Sequence, residues 1–344
     1  MPRRPVESKS FIGKNLETLA SPLLSIKNLK VAIGPTGSAK TGWVLRGVDL
    51  SLQESERLAL VGESGCGKSM TALSILHLLP DPPMKIMEGN IRFKNQDLGE
   101  LSDGEWQGIR GKEMGIVFQD PGTSLNPVLQ VGEQIAETLR THLGFSRAEI
   151  RTKTHELLRE VGLPDPERLL LQYPHQLSGG MCQRIMIAMA IACGPSLLIA
   201  DEPTTALDVT VQTQILELLF RMTAQLGLAV LFITHNLRIV RGYADRVAIL
   251  YAGQVVEEGT PEDIFDHPQH PYTEGLLESL PEFSQRGQPL FSIPGAVPSP
   301  YTLFKGCAFA DRCPKVRENC RHEEPTLDEI SKGHHARCFY PSKK

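Results

Sequence analysis

The sequence has no apolar segment long enough to cross a lipid bilayer. Its longest uninterrupted apolar run, IMIAMAIAC at residues 185–193, is about half the length that a spanning helix needs. The N-terminal MPRR is basic, but no apolar stretch follows it, so a cleavable secretory signal is not expected. We therefore expect any association with a membrane to go through a partner or through a surface of the protein.

The chain also lacks an excess of positive charge and has few aromatic residues. Its 344 residues include 36 lysines and arginines against 40 aspartates and glutamates, and only 6% are aromatic. The net charge of −4 gives no electrostatic argument for nucleic acid as the main partner. The apolar fraction of 41% is ordinary for a globular protein, and the length predicts more than one domain.

Alternating strand and helix patterns extend from about residue 21 to residue 262. Four short apolar runs that end at polar residues are typical of buried strands, namely ERLALVG, EMGIVFQD, SLLIADEP and LAVLFITH. Amphipathic helices are predicted between them, and RVAILYAGQVVEEG predicts a hairpin. We expect an α/β domain over residues 21–262, a disordered tail over 1–20, and a separate extension rich in Pro, Gly and Cys over 263–344.

A glycine-rich loop, GESGCGKS at residues 62–69, lies between a strand pattern and a helix pattern. Glycines allow the backbone N–H groups of such a loop to surround phosphate oxygens. Lys68 is expected to reach the β- and γ-phosphates of ATP, and the Ser69 hydroxyl to ligate Mg²⁺. Cys66 is interpreted as a small filler whose backbone takes part in the loop. The predicted phosphate-binding residues are Gly62, Ser64, Gly65, Cys66, Gly67, Lys68, Ser69 and Met70.

Polar residues at the ends of three later strand patterns supply the expected chemistry. In ADEP, Asp201 is expected to hold Mg²⁺, and Glu202 to orient and polarise the attacking water. His235, which ends the next strand, is expected to contact the γ-phosphate. Gln119 follows GIVF and is expected to contact the ATP and its Mg²⁺. Glu202, His235 and Gln119 are therefore the catalytic candidates.

A second glycine motif, LSGGMCQR at residues 177–184, precedes a run of helix formers. Together with the phosphate loop, Gln119, ADEP, ALD and His235, it resembles the ATP-binding cassette family in order and spacing over residues 21–262. The resemblance implies a P-loop NTPase core with a mainly parallel sheet, an antiparallel β subdomain and a helical subdomain at about residues 120–185. A generic P-loop ATPase is the alternative, but it would lack LSGG.

The family resemblance also implies that two cassettes pair head to tail around ATP. The signature residues that would bind the ATP of the partner chain are Ser178, Gly179, Gly180 and Met181. Asp208 in ALD would lie at the same interface. In the place where family members carry an aromatic residue that stacks on adenine, this chain has Ile33. Trp43 is the nearest aromatic candidate.

The C-terminal segment resembles that of oligopeptide and dipeptide importer ATPases, through HPYTEGLLESLP, IPGAVP and GCAFADRCPKVRENC. That resemblance implies peptide uptake, with a second, similar ATPase, two permease subunits and an extracytoplasmic peptide-binding protein as partners. The chain would lie on the cytoplasmic face of an inner membrane, and residues after Gln119 would meet the permease. The alternatives are a soluble cassette ATPase outside transport, an importer of a non-peptide cargo such as a metal chelate, and a metal module that binds nucleic acid.

Four of the seven cysteines lie in the last forty residues with the spacing C-x5-C-x6-C-x17-C, namely Cys307, Cys313, Cys320 and Cys338. Four thiolates suit zinc or an iron–sulfur cluster, and the wide spacing together with the peptide-importer resemblance favours 4Fe–4S. Zinc and unliganded cysteines remain alternatives. The nearby His322, His334 and His335 are interpreted as surface residues. We expect a change in this segment to leave the phosphate chemistry unaltered.

Overall fold

The computed structural model describes residues 21–34, 41–205, 207–283 and 291–342, so the tail expected at 1–20 lies outside the described residues. The strands are β1 (Leu24–Ile33), β2 (Gly42–Leu52), β3 (Arg57–Val61), β4 (Met84–Phe93), β5 (Gln96–Asp97), β6 (Met114–Val117), β7 (Leu197–Asp201), β8 (Ala229–Thr234), β9 (Arg246–Tyr251), β10 (Gln254–Gly259), β11 (Asp328–Ser331) and β12 (His334–Ala336). The α-helices are α1 (Lys68–Ile75), α2 (Asp103–Ile109), α3 (Pro121–Ser124), α4 (Val131–Leu143), α5 (Arg147–Glu160), α6 (Pro166–Leu169), α7 (Gly179–Ile191), α8 (Val209–Leu226), α9 (Leu237–Tyr243), α10 (Pro261–Asp266) and α11 (Pro271–Glu278). Short 3₁₀ turns cover Leu98–Glu100, Pro174–Gln176, Pro281–Phe283 and Glu318–Arg321.

The central sheet has the strand order β11-β12-β10-β9-β3-β8-β7-β6. The five strands from β9 to β6 are parallel, and all four apolar runs predicted as strands lie among them. The carboxyl ends of β3, β7 and β8 therefore meet at one edge of the sheet. The strand order therefore brings the candidate site residues together at the edge where ligands of α/β proteins bind.

A second, antiparallel sheet with the order β2-β1-β4-β5 forms the predicted β subdomain. The predicted hairpin is confirmed as β9 and β10, which pair antiparallel. The helical subdomain contains α3 to α7. Among the described residues, no helix is long and apolar enough to span a bilayer.

Alternate residues of the central strands serve two separate hydrophobic cores. In β3, Leu58 and Leu60 pack with the antiparallel sheet and α1, whereas Ala59 and Val61 pack with the helices on the other side. Both faces of these strands are therefore covered by other elements. This explains why the strand sequences are continuous apolar runs without alternating polar residues.

The C-terminal extension continues the central sheet. Strand β12 pairs antiparallel with β10, with Glu257 opposite Ala336, and β11 pairs with β12. The rest of the extension consists of α10, α11, short turns and irregular segments. The extension thus contacts the sheet that carries the phosphate loop, which its irregular composition does not indicate.

Candidate functional site

The phosphate loop connects β3 to α1 and lies tightly against neighbouring backbone. A Cβ atom at Gly62 would lie 2.3 Å from the carbonyl oxygen of Leu250, and one at Gly67 would lie 2.7 Å from the Leu45 side chain. Gly65 and Gly67 have φ angles of 82° and 112°, which only glycine adopts without strain. Both the space and the backbone conformation therefore require glycine in this loop.

Lys68 and Ser69 begin α1 and connect the loop to β7. The Lys68 ammonium is 4% exposed and donates to the carbonyl oxygens of Gly62 and Glu63 at 2.8 and 3.1 Å. The Ser69 hydroxyl donates to Asp201 Oδ1 at 3.1 Å. A buried ammonium inside a loop of backbone N–H groups forms a strongly anion-attracting pocket.

Glu202 is the centre of the candidate site, since three of the predicted residues meet at its carboxylate. The Gln119 amide donates to Glu202 Oε2 at 3.1 Å, and His235 Nδ1 lies 3.1 Å from the same oxygen. Lys68 Nζ is 3.6 Å from Oε1, and the Thr205 hydroxyl donates to Oε2 at 3.0 Å. The sequence motifs did not indicate the contribution of Thr205.

The two carboxylates of ADEP have different electrostatic environments. Burial raises the pKa of Asp201 above its ordinary value, although the hydrogen bond from Ser69 opposes this effect. Burial would also raise the pKa of Glu202, but hydrogen bonds from Thr205 and His235 outweigh it and lower that pKa. Glu202 is therefore ionised at neutral pH, as a group that accepts a proton must be.

The Glu202 backbone adopts φ = 45°, which is uncommon for a residue other than glycine. Its N–H donates to the carbonyl oxygen of Ile233 in β8 at 2.9 Å, and this bond holds the conformation. Non-glycine residues held in the left-handed region concentrate at functional sites. The backbone conformation of Glu202 therefore supports a functional role for its carboxylate.

The signature motif forms the N-terminus of α7 and lies against α8. Ser178 caps α7 by accepting from the Met181 N–H at 3.3 Å. A Cβ atom at Gly180 would lie 2.8 Å from Val211 of α8, while Asp208 caps α8 by accepting from the Val211 N–H at 3.0 Å. Ser178 and Gly179 are exposed, so the positive end of a 13-residue helix faces outward.

An aromatic side chain from the C-terminal extension lies beside the place predicted for adenine. Ile33 at the end of β1 pairs with Gly42, and a Cβ atom at Gly42 would lie 2.9 Å from the ring of Tyr301. The Trp43 N–H donates to the Pro300 carbonyl at 2.7 Å, and this bond anchors the extension here. Tyr301 is 55% exposed. Tyr301 was missed because it lies about 250 residues from β2 in the sequence.

The four cysteines of the extension line one small pocket, together with residues such as Phe309 and Tyr340. None forms a disulfide. The Tyr340 N–H donates to Cys338 Sγ at 3.4 Å, and burial raises the pKa of Cys307 to about 11. Within the described ranges, no group of three or more His, Cys, Asp or Glu side chains is arranged to hold a metal ion.

One histidine of the extension is buried, although the sequence analysis placed it on the surface. His334, interpreted as a surface residue, is 2% exposed, and its Nε2 lies 2.8 Å from Glu257 Oε1. Glu257 also accepts from the backbone N–H groups of Gln269 and His270 at 2.7 and 2.9 Å. His334 is buried because β12 joins the central sheet. His322 is exposed, as predicted.

The fold and these motifs together define a P-loop ATPase of the cassette type, and comparisons with known proteins agree. A family model described as ABC transporter matches residues 45–205. A solved dimeric ATP-binding cassette bound to ADP and phosphate is 31% identical, with a TM-score of 0.61, and the match covers 69% of this chain and 98% of that one. The solved structure of cbiO1 from Clostridium perfringens, part of an ABC transporter complex, is 28% identical with a TM-score of 0.61, and this match covers 72% of this chain and 92% of that one.

A second family model, described as oligopeptide/dipeptide transporter, C-terminal region, matches residues 256–320. The dipeptide transport ATP-binding protein DppD of Bacillus subtilis is 48% identical over 94% of this chain and 96% of its own length. The DppD protein of Escherichia coli is 46% identical over 93% and 97%. The chain therefore belongs to the ABC transporter ATPases that carry the oligopeptide/dipeptide C-terminal region.

Proposed function

We propose that this chain hydrolyses ATP to energise the uptake of dipeptides or oligopeptides by a membrane importer. The observation that carries the proposal is the convergence of Gln119, His235 and Lys68 on the ionised carboxylate of Glu202. The names of the relatives support peptide as the cargo class. The C-terminal region found in peptide transporters supports the same cargo.

In the proposed reaction, Glu202 accepts a proton from the water that attacks the γ-phosphate. His235 and Gln119 orient this carboxylate and the γ-phosphate, and Lys68 exchanges its loop carbonyls for phosphate oxygens. Ser69, Asp201 and Gln119 supply the oxygen donors that a magnesium ion prefers. When bound, Mg²⁺ would neutralise phosphate charge.

The proposal is tested in the assembled importer, reconstituted with its permease and peptide-binding protein. Glu202→Gln should leave ATP binding intact and lower hydrolysis about 100-fold or more, because an amide can hold the water but cannot accept its proton. Peptide uptake should fall in parallel. Glu217→Gln, an exposed change on α8, is the control. Near-normal hydrolysis by Glu202→Gln would contradict the role of Glu202, and ATP hydrolysis without peptide uptake would contradict the cargo.

The proposed partners are a second, similar ATPase and two permease subunits, with an extracytoplasmic peptide-binding protein acting through the permease. Exposure of Ser178 and of Val209, which is 79% exposed beside Asp208, supports pairing of two cassettes through these motifs. Val128 and Leu171 are 75% and 66% exposed on the helical subdomain, which supports contact with the permease. Such contact would place the chain at the cytoplasmic face of the inner membrane.

We further propose that the cysteine-lined pocket holds a 4Fe–4S cluster, with zinc as the alternative. In the described residues the four thiols are not arranged to hold a metal ion, so they would have to move closer together on binding. The ligands would be Cys307, Cys313, Cys320 and Cys338, which line the pocket as free thiols. The Tyr340 N–H donates to Cys338 Sγ at 3.4 Å, and bonds of this kind stabilise the thiolates that ligate clusters. Burial acts in the opposite direction and raises the pKa of Cys307, Cys313 and Cys338. A bound cluster would hold the irregular segments of the extension together.

A further inference from the structure

The C-terminal extension forms a direct ion pair with the phosphate loop. Arg312 Nη1 donates to Glu63 Oε2 at 2.8 Å, and Nη2 donates to Glu63 Oε1 at 3.0 Å. Such a bidentate pair has a defined geometry, unlike most surface ion pairs. The Arg312 side chain is 5% exposed and the Glu63 side chain is 31% exposed, so water screens this pair only partly.

The guanidinium of Arg312 is held in place by groups other than Glu63. Its Nε donates to the Pro294 carbonyl at 2.9 Å, Nη1 donates to the Tyr251 hydroxyl at 3.4 Å, and the guanidinium lies 5.9 Å from the ring centroid of Phe309. Because these partners belong to β9 and to the extension itself, the position of Arg312 does not depend on the phosphate loop. The arginine is thus a fixed positive charge that the extension presents to the loop.

Glu63 lies between this fixed charge and the lysine of the loop. Its N–H donates to the Tyr272 hydroxyl at 2.9 Å, and its carbonyl accepts from Lys68 Nζ at 3.1 Å. A carboxylate at this position repels the phosphates of ATP unless its charge is compensated. Arg312 supplies that compensation, and with Tyr272 it fixes the loop from outside.

We propose that Arg312 is a positioning residue for ATP binding, which acts through Glu63 by neutralising the negative charge of that carboxylate at the phosphate loop. This inference rests on the proposed binding of ATP phosphates by residues 62–69. It assigns to the C-terminal extension a second role, in ATP affinity, besides any role in holding a cluster.

The experiment measures the dissociation constant for ATP, and KM and kcat for hydrolysis, in the full chain assembled with its partners. Arg312→Met should weaken ATP binding about tenfold or more, because the uncompensated Glu63 carboxylate repels the phosphates, and should raise KM with little change in kcat. Glu63→Gln should not weaken binding. The double variant Glu63→Gln/Arg312→Met should bind ATP nearly as the unchanged chain does, since no uncompensated carboxylate remains.

Arg321→Met is the matched control, because Arg321 forms an ion pair with Asp311 in the same extension but is 49% exposed. The proposal would be overturned if Arg312→Met lowered the melting temperature but left the affinity for ATP unchanged. It would also be overturned if the double variant bound ATP as weakly as Arg312→Met does. If Arg312→Met does not fold, weakened binding in Glu63→Gln alone overturns it and unweakened binding supports it. Lys68→Ala tests the underlying function separately: normal ATP binding by that variant would reject the phosphate loop itself.

Discussion

At the residue scale, the catalytic candidates were predictable, whereas the side chains that support them were not. Motif spacing predicted that Glu202 and His235 lie together, because the carboxyl ends of neighbouring parallel strands must meet, and the structure places His235 Nδ1 3.1 Å from Glu202 Oε2. The same reasoning did not identify Thr205, which donates to Glu202 from three residues further along the chain, or Arg312, which reaches the phosphate loop through a tertiary contact. His334 was misinterpreted for a related reason, since its burial depends on the pairing of β12 with β10.

Tyr301 offers a test at the base end of the nucleotide site. If its exposed ring stacks on adenine, Tyr301→Ala should weaken ATP binding about fivefold or more, given about 1–3 kcal/mol for base–aromatic stacking. Tyr301→Phe should retain the affinity because the ring face is kept. Equilibrium titration with ATP measures both, and Leu303→Ala, at a neighbouring side chain that is 84% exposed, is the control.

Normal affinity in Tyr301→Ala would contradict this assignment. Trp43→Ala should then be compared with it, since Trp43 is the sequence-based candidate for the same role. A loss of affinity that occurs only in the Trp43 variant would return the stacking role to Trp43. The backbone bond from Trp43 to Pro300 means that melting temperatures should be measured in parallel.

At the element scale, the N-terminus of α7 explains why one chain carries two phosphate-binding motifs. In the proposed pair of cassettes, the phosphate loop would face the nucleotide of its own chain, whereas the exposed Ser178 end of α7 would meet a nucleotide held by the partner. Helix N-termini attract anions through unpaired N–H groups and the helix dipole. The sequence predicted this helix start correctly, because serine followed by two glycines and helix formers is a strong N-terminal signal.

Ser178→Arg should stop hydrolysis at the ATP held by the partner's phosphate loop, because a bulky side chain would block the helix end. ATP should still bind to this chain's own phosphate loop. Photo-crosslinking of labelled ATP, followed by separation of the two ATPase chains, distinguishes the two sites. If the loss falls on this chain's own loop instead, pairing in trans is contradicted.

Ser146→Arg is the matched control for the signature substitution. Ser146 is also an exposed serine that caps a helix, accepting from the Glu149 N–H at the start of α5. Both substitutions therefore remove a cap, which costs about 1 kcal/mol of stability. Only Ser178→Arg should affect hydrolysis, so a defect common to both variants would indicate loss of folding and not of phosphate contact.

At the scale of the whole molecule, the extension and the ATPase core share one sheet, and an ion pair joins the extension to the phosphate loop. The composition of residues 263–344 indicated a separate, irregular segment, and we expected a change there to leave phosphate chemistry unaltered. The pairing of β12 with β10 and the ion pair of Arg312 with Glu63 change this expectation. Sequence patterns reveal local periodicity, but they do not reveal which distant segment covers the edge of a sheet.

Cys313 directly follows Arg312 in the chain and lines the cysteine pocket. If the pocket holds a cubane cluster, protein purified without oxygen should contain about four irons per chain. The Cys313→Ser variant should contain none, because it lacks one of the four ligands. Because loss of the cluster would release the segment that positions Arg312, ATP affinity should fall in the same variant. Iron analysis, visible absorption and ATP titration of the full chain measure these outcomes.

The two roles of the extension can be separated by combining substitutions. Adding Glu63→Gln to Cys313→Ser should restore most of the lost affinity without restoring iron, because the carboxylate that Arg312 neutralises is gone. An iron-free variant with unchanged ATP affinity would show that the pocket and the phosphate loop are independent. If the protein contains one zinc per chain and no iron, the cysteines form a metal site but not an iron–sulfur site. If it contains no metal, the four cysteines are free and the proposed cofactor is wrong.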